Sequence, residues 1–318
     1  MGNAAQKDIT CLDRDSAAGD EAGGILVLDK PEGFTSAKAA AKIKKLLSPR
    51  KIGHTGTLDP FATGVLVLCL NEATRLADQI TNLEKVYDAT LRFGVETDTL
   101  DRTGKVIRQR EHVFCQKDLI DVLNSFAGAC VQTVPRFSAV RVGGRRLYEL
   151  SRKGLEVERP EREICIHSIA LNYFRWPEAG IEVCCSKGTY IRQLASDIGE
   201  KLGSGAHLSA LRRLRVGPFT LERAIRMDEE ISPASAAAQI IRPNEALSYL
   251  PSALMSERQC LARLKNGQLD PGWEKEHRQG FCAGADAVRI VTATNRLAAL
   301  WWPNSAPSGS RRLRVFPF

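Results

Sequence analysis

With 318 residues and 43% apolar content, the chain can bury a sizeable core in one large domain plus a small one, which excludes a disordered or fibrous protein. No apolar run approaches the roughly 20 residues that span a bilayer. The opening MGNAAQKDITCLDRD lacks the apolar core of a secretory signal, so a cytoplasmic protein is expected, and the net charge of +8 points toward a polyanionic partner.

In chain order, residues 1–24 are small, polar and acidic, with two bases against five acids, and are expected to form a disordered tail. The remainder then carries +11. GILVLDK at 24–30 is a short apolar run bounded by Gly and Pro, the pattern of a buried strand. TSAKAAAKIKKLL follows as a helix, with Thr35 or Ser36 as N-cap and Ala39, Ile43 and Leu47 at helical spacing. GVLVLCL at 64–70 is a second buried strand. KVYDATLRF at 85–93 alternates, placing Tyr87, Ala89, Leu91 and Phe93 on one face. Residues 117–127 are amphipathic through Leu119, Ile120, Leu123 and Phe126, and read as a helix.

The stretch 133–163 is rich in Arg, Gly and Glu, has little apolar periodicity, and is expected as a long loop or insertion. GIEVCCSKG is then a strand leading into the helix TYIRQLASDIGEKLG. Its inner face is Ile191, Leu194, Ala195, Ile198 and Leu202, and Gly203 is its stop. Beyond about residue 240, Pro243 and Pro251 mark a linker. One helical pattern (SERQCLARLKNG) and three strand-like runs (AVRIVTA, RLAALWW, RRLRVFPF) then suggest a compact β-rich module.

Nine scattered cysteines in segments such as LVLCL and IEVCC read as reduced core thiols. There is no CxxC, and His54, His112, His167, His207 and His277 form no ligand spacing, so no metal site is expected. Basic clusters at RVGGRRLYELSRKG, HLSALRRLRVG and SGSRRLRVF have the charge that phosphate backbones require.

KIGHTGTLDPFATGVLVLCL at 51–70 is the most informative segment. Three glycines and several hydroxyls surround one acid and one histidine just before a buried strand. Pro60 biases Asp59 toward extended backbone and out of a helix, so its carboxylate can project from a loop. Taken alone, an Asp-Pro pair is also an ordinary turn initiator.

GHTGTLDPFATGVL resembles the catalytic motif of the TruB family of tRNA pseudouridine synthases. LVLDKPEGFTSAKA, EKVYDATLRFGVETDTLDRTG, CSKGTYIRQLASDIGEKLG and GAHLSALRRLRVGPF resemble further blocks of the family, collinear over residues 25–220. The resemblance implies an α+β pseudouridine synthase fold with a central, mainly antiparallel mixed sheet in a catalytic domain over 25–245. Residues 133–163 would be an RNA-gripping insertion and residues 251–318 a PUA-like RNA-binding module. It implies a stand-alone, monomeric enzyme that isomerises uridine 55 in the T-stem-loop of tRNA, with no obligatory protein partner. The reaction changes neither composition nor oxidation state, so no cofactor is implied.

Carried onto this sequence, the resemblance makes Asp59 the nucleophile, with Arg192 pairing with it; a cation beside a carboxylate favours the ionised form a nucleophile needs. Tyr87 would stack on the uracil with its hydroxyl near the proton that moves. Tyr190 would complete the pocket, Leu211 would meet the uracil edge through its backbone, and His54 would take the space of the extruded base or stack near it. Lys30 would be a structural or phosphate-facing residue near the site, and with it Arg141, Arg145, Arg146 and Lys187 are candidate RNA contacts. Phe137-Ser138-Ala139-Val140-Arg141 departs from the family's Tyr-Ser-Ala-Leu-Lys by the loss of one hydroxyl. Two other readings are open: a guide-RNA-dependent pseudouridine synthase with the same catalytic blocks, and an RNA-binding or RNA-folding factor.

Overall fold

A computed structural model of the protein describes residues 23–155, 157–227, 230–281, 287–303 and 312–317. The expected acidic tail lies outside them apart from Gly23 and Gly24.

β1 (Ile25–Lys30) is buried except at Asp29, as a continuous apolar run demands. α1 (Ser36–Leu47) is capped by the Thr35 hydroxyl, which accepts from the Lys38 amide, and it buries Ala39 and Ile43 as their spacing predicts. β2 (Ile52–His54), β3 (Thr63–Leu70), the short α2 (Ala77–Thr81) and β4 (Lys85–Phe93) follow. β4 turns Tyr87, Ala89, Leu91 and Phe93 into one apolar cluster. A small hairpin of β5 (Val95–Thr97) and β6 (Val106–Gln109) precedes α3 (Gln116–Asn124). There Leu119 and Leu123 are buried but Ile120 is exposed, because the contact with the sheet covers a narrower stripe than the apolar pattern.

β7 (Gly128–Thr133) leads into the stretch expected to be a loop, which is better ordered than its composition suggests. β8 (Arg141–Val142) and β9 (Arg145–Arg146) form a tight hairpin. Its turn, Gly143-Gly144, has φ of 56° and 80°, the doubly positive conformation that only glycine adopts freely. α4 (Leu147–Arg152) then buries Leu147 and Leu150. β10 (Glu161–Arg175) takes in the last residues of the stretch and runs antiparallel to β11 (Glu178–Cys185). α5 (Ile191–Lys201) buries the inner face predicted for it, and β12 (Ala206–Val216), β13 (Phe219–Thr220) and β14 (Ile225–Arg226) complete the sheet. Its order is β14-β1-β3-β12-β4-β11-β10-β7, with β2 paired to β3 and β13 to β12. Only β14/β1 and β12/β3 are parallel, so the sheet is mixed and mainly antiparallel, as expected.

The presumed linker is structured: α6 (Pro233–Ala238) and α7 (Pro243–Ala246) each begin on a proline, where a helix has no use for the missing N–H. The C-terminal module has the predicted helix and three strands plus one more of each. β15 (Ser252–Leu254), α8 (Arg258–Lys265), α9 (Pro271–Arg278), β16 (Val288–Val291), β17 (Leu297–Trp301) and β18 (Leu313–Val315) form it, with the strands in sequential order. It is not an independent bead. Leu297, Leu300, Trp302 and Phe316 share an apolar cluster with Ala73, Leu76, Ile80 and Phe219 of the large domain.

The seven described cysteines are free thiols, but only Cys69, Cys185 and Cys260 are buried; Cys115 is exposed at the start of α3, so the expectation of core thiols holds for part of them. Among the described residues no helix is long and apolar enough to cross a membrane.

Candidate active site

Between β2 and β3 the chain crosses the face of the sheet, and the two readings of Asp59 turn out to be compatible. Asp59 opens a turn closed by the Ala62 amide on its carbonyl at 3.1 Å, with Pro60 at the second position, where its fixed φ belongs. The loop is held from below. Buried Ser36 at the start of α1 accepts from the Leu58 amide at 2.9 Å and donates to the Leu58 carbonyl at 3.1 Å. Lys30 donates to the carbonyls of Phe34 at 2.7 Å, Pro31 at 3.0 Å and Pro60 at 3.4 Å. Burial draws the Lys30 pKa down to about 8, opposed by the attraction of Asp59. Of the two roles open to Lys30, the geometry favours the structural one: it is 0% exposed and its ammonium braces the Asp59 loop.

Arg192, in the first turn of α5, forms a two-pronged pair with Asp59: Nε to Oδ2 at 2.8 Å and Nη2 to Oδ1 at 3.4 Å. Its remaining donors go to the carbonyls of Thr99 at 2.8 Å and Phe137 at 3.1 Å. The guanidinium is 5% exposed and the Asp59 side chain 35%, so the cation is sealed in while the carboxylate faces a cavity of about 700 Å³. A second carboxylate, buried Asp101, has Oδ2 at 3.6 Å from Arg192 Nη1. Its Oδ1 accepts from Thr99 Oγ1, the Thr103 amide and Thr103 Oγ1 at 2.8, 2.9 and 2.5 Å. Arg192 therefore keeps a buried counter-ion even when Asp59 is engaged elsewhere.

Tyr87, Tyr190, Leu211 and Lys187 join Asp59 and Arg192 in lining this cavity. Tyr87 is buried on β4 opposite Val183 of β11 and Arg213 of β12. Burial raises its hydroxyl pKa, against the pull of the Arg213 guanidinium, so the phenol is neutral at physiological pH. Tyr190 stands just before α5, fixed by Gln132 of β7. The Tyr190 amide donates to Gln132 Oε1 at 2.8 Å, and Gln132 Nε2 donates to the Tyr190 carbonyl at 3.1 Å. Leu211 sits on β12 with its backbone in register with Ala89.

His54, at the end of β2, is not among the residues lining the cavity, and its Nδ1 is buried and unpartnered. Burial, then the nearby Arg213 charge, holds its pKa below the usual histidine value, so it is neutral at physiological pH. Arg141, Arg145 and Arg146 lie exposed on the β8/β9 hairpin, Arg146 near the Tyr148 ring.

Sequence reasoning missed four residues here: Asp101, Gln132, Lys85 and Arg213. Arg213 was only one member of a basic run, yet it is 2% exposed. It donates to the carbonyls of Val65 at 2.6 Å and Gly56 at 3.1 Å, under the floor of the cavity. Lys85 is also buried there, and burial followed by repulsion from Arg213 lowers its pKa to about 8. The charges of the 207–215 run are thus used in different ways. Arg213 serves backbone carbonyls, Arg212 pairs with Asp29 at 2.7 Å, and Arg215 pairs with Glu84 at 2.6 Å. No cluster of three or more candidate metal ligands occurs among the described residues.

Residues 44–191 match the family described as TruB family pseudouridylate synthase (N terminal domain), and residues 192–248 match the tRNA pseudouridylate synthase B C-terminal domain. The two matches meet at Arg192, in the first turn of α5, and strands from both sides of it share one sheet, so their junction is no boundary of the fold. A tRNA pseudouridine synthase B of Syntrophobacter fumaroxidans is 53% identical over 300 residues, covering 93% of this chain and 98% of its own. The protein of the same name from Geobacter sulfurreducens is 40% identical over 305 residues, 92% and 99% of the two chains. Among solved structures, one described as a Cbf5-Nop10-Gar1 complex aligns with a TM-score of 0.68 at 25% identity, over 95% of this chain and 86% of that one. A carboxylate gripped by a buried arginine at the mouth of a cavity thus belongs to a chain that is, from β1 to its C-terminal sheet, a member of the TruB family of pseudouridylate synthases.

Proposed function

We propose that the protein is a stand-alone tRNA pseudouridine synthase that acts as a monomer on uridine 55 of the T-stem-loop, with Asp59 as nucleophile. The two-pronged Asp59–Arg192 pair, sealed behind and open in front, carries this reading. The target base must leave its stack to reach Asp59, at a cost of a few kcal/mol. Asp59 then attacks sugar C1′ or uracil C6, and the N1–C1′ bond breaks. The uracil turns, C5 bonds to C1′, the bond to Asp59 breaks with its electron pair returning to the carboxylate, and the C5 proton is lost as N1 gains one, so atoms and charge balance. Arg192 holds the carboxylate aimed through its two hydrogen bonds. Tyr87 offers a ring to stack on the uracil and a neutral hydroxyl to relay the C5 proton. Tyr190 and the Leu211 backbone bound the base. His54 takes the space of the extruded base in the RNA or stacks near it. The 133–163 insertion grips RNA through Arg141, Arg145 and Arg146, Lys187 contacts phosphate at the rim, and the C-terminal sheet is a PUA-like RNA-binding module.

The direct test is conversion of an unmodified tRNA transcript by the purified protein alone, with the product uridine mapped. Modification at position 55 without added RNA or protein supports the reading. Dependence on added components would favour the guided alternative, and binding without product a folding factor. Affinity for the transcript is expected to fall by about tenfold or more between about 50 and 200 mM salt, from release of counterions at several phosphate contacts. Filter binding across that range checks it, and salt-independent binding contradicts it.

Gln132 supplies a sharper expectation. Gln132→Glu keeps the acceptor for the Tyr190 amide but, when ionised, loses the donor to the Tyr190 carbonyl. An unpaired buried carbonyl costs about 1–3 kcal/mol, so single-turnover rate is expected to fall about tenfold or more at pH 8. A protonated glutamic acid regains that donor, so the rate relative to wild type should recover as pH falls toward about 5. Gln132→Leu should show no recovery; parallel profiles for both variants would leave Gln132 a packing residue.

A further inference from the structure

The basic segments of the chain use their charge very differently once folded. Lys30, Lys85 and Arg213 serve backbone carbonyls, and Arg212 and Arg215 are ion-paired. The acid-free stretch with the most bases lies elsewhere. Between Gly33 and Leu58 there are six bases, Lys38, Lys42, Lys44, Lys45, Arg50 and Lys51, and no acid. All six are exposed. Lys42 donates to the Met227 carbonyl at 2.9 Å. Among the described residues, the other five make no ion pair.

Their placement is ordered. At 3.6 residues per turn, Lys38, Lys42 and Lys45 fall within about 60° of one another on α1, facing away from the buried Ser36, Ala39, Ala40 and Ile43. Arg50 and Lys51, also exposed, follow in sequence past the C-cap Ser48. Favourable interaction with the helix dipole accounts for Lys44 and Lys45 in the last turn, but not for the rest. Lys38 stands in the first turn, where a cation opposes the dipole and no acid offsets it. The helix itself begins beside the Asp59 loop, because Ser36 at its start bonds both backbone groups of Leu58, the neighbour of Asp59.

We infer that the outward face of α1 is a second RNA-contact surface, taking phosphates of the tRNA beyond the nucleotide held at Asp59. The inference rests on the tRNA-modifying activity proposed above. The ligand is the phosphodiester backbone itself: exposed lysines on a helix of about 18 Å offer point charges, with no planar array to read base edges. This surface therefore contributes affinity and orientation rather than sequence preference.

The test uses the full chain, an unmodified tRNA transcript, and the triple variant Lys38→Gln, Lys45→Gln and Lys51→Gln. The dissociation constant is measured from about 50 to about 300 mM KCl, and pseudouridine formation at saturating transcript. At about 100 mM KCl the variant should bind about tenfold more weakly, and its log–log salt slope should be shallower by about two. Turnover at saturation should match wild type, and the Lys→Arg version of the triple variant should bind as wild type does. Unchanged affinity and slope in the Gln variant would overturn the inference, as would equal loss in the Arg variant, which would mean packing rather than charge. A wild-type protein that binds the transcript without forming pseudouridine would refute the proposed activity instead.

Discussion

Asp59→Asn is expected to abolish pseudouridine formation, by about four orders of magnitude or more in single-turnover rate, the scale on which losing a nucleophile acts. Asparagine keeps the shape and the acceptor oxygen, so the turn through Pro60 and the contact with Arg192 Nε can persist. What disappears is the charge. The variant should still fold, because Arg192 retains the Asp101 carboxylate and the carbonyls of Thr99 and Phe137. Asp59 is also one-third exposed, so removing its charge costs far less stability than breaking a sealed pair. Transcript affinity should stay within a few-fold of wild type. Residual turnover above about 1% in protein free of wild-type contamination would remove Asp59 from the covalent step.

The reverse substitution on the pair should be worse for the fold. Arg192→Ala would leave Asp101, 6% exposed, without its cation in the interior, a loss of about 3–5 kcal/mol on the usual scale for one partner of a buried pair. The two members of the pair therefore separate experimentally. Asp59 variants report on chemistry, whereas Arg192 variants report on chemistry and folding together.

How much of this was legible beforehand depends on whether a residue's role is local. β4 and α5 follow from periodicity alone, since alternation and helical spacing are local consequences of burying one face. Asp59 was accessible because the Asp-Pro turn and its glycine-rich surroundings are contiguous, and resemblance supplied the chemistry. Strand order was not accessible: β12 lies between β3 and β4, and nothing local to residues 206–216 encodes that. The misjudged charges have the same origin. Arg213 and Arg215 look alike in RRLR, but the first falls beneath the cavity and the second beside Glu84. Gln132 was invisible because its two partners belong to Tyr190, 58 residues away. The hairpin at 141–146 was concealed by its composition, although the Gly143-Gly144 pair is the one local sign of a tight turn there.

Tyr87 poses the sharpest remaining choice, since core packing and proton transfer make different demands on one ring. It is 8% exposed and belongs to the large apolar cluster, which is what a packing residue requires. It also lines the cavity beside Asp59 and Arg213, which packing alone does not require. If the ring only packs, Tyr87→Phe should be nearly neutral for catalysis. If the hydroxyl handles the C5 proton, Tyr87→Phe should keep stability and transcript binding, because the stacking face survives, while the single-turnover rate falls about a hundredfold or more. Tyr87→Leu should then also weaken binding, having lost the aromatic face. The elevated pKa adds a second readout: burial keeps the phenol neutral beyond its ordinary value of about 10, so it exchanges protons as a relay and not as a standing phenolate. The wild-type rate should accordingly show no rise between pH 7 and 9 attributable to tyrosine ionisation. The expected result is the catalytic pattern, a stable, tRNA-binding Phe variant with a depressed rate across that range. An unchanged single-turnover rate would return Tyr87 to the core and leave removal of the C5 proton to another group.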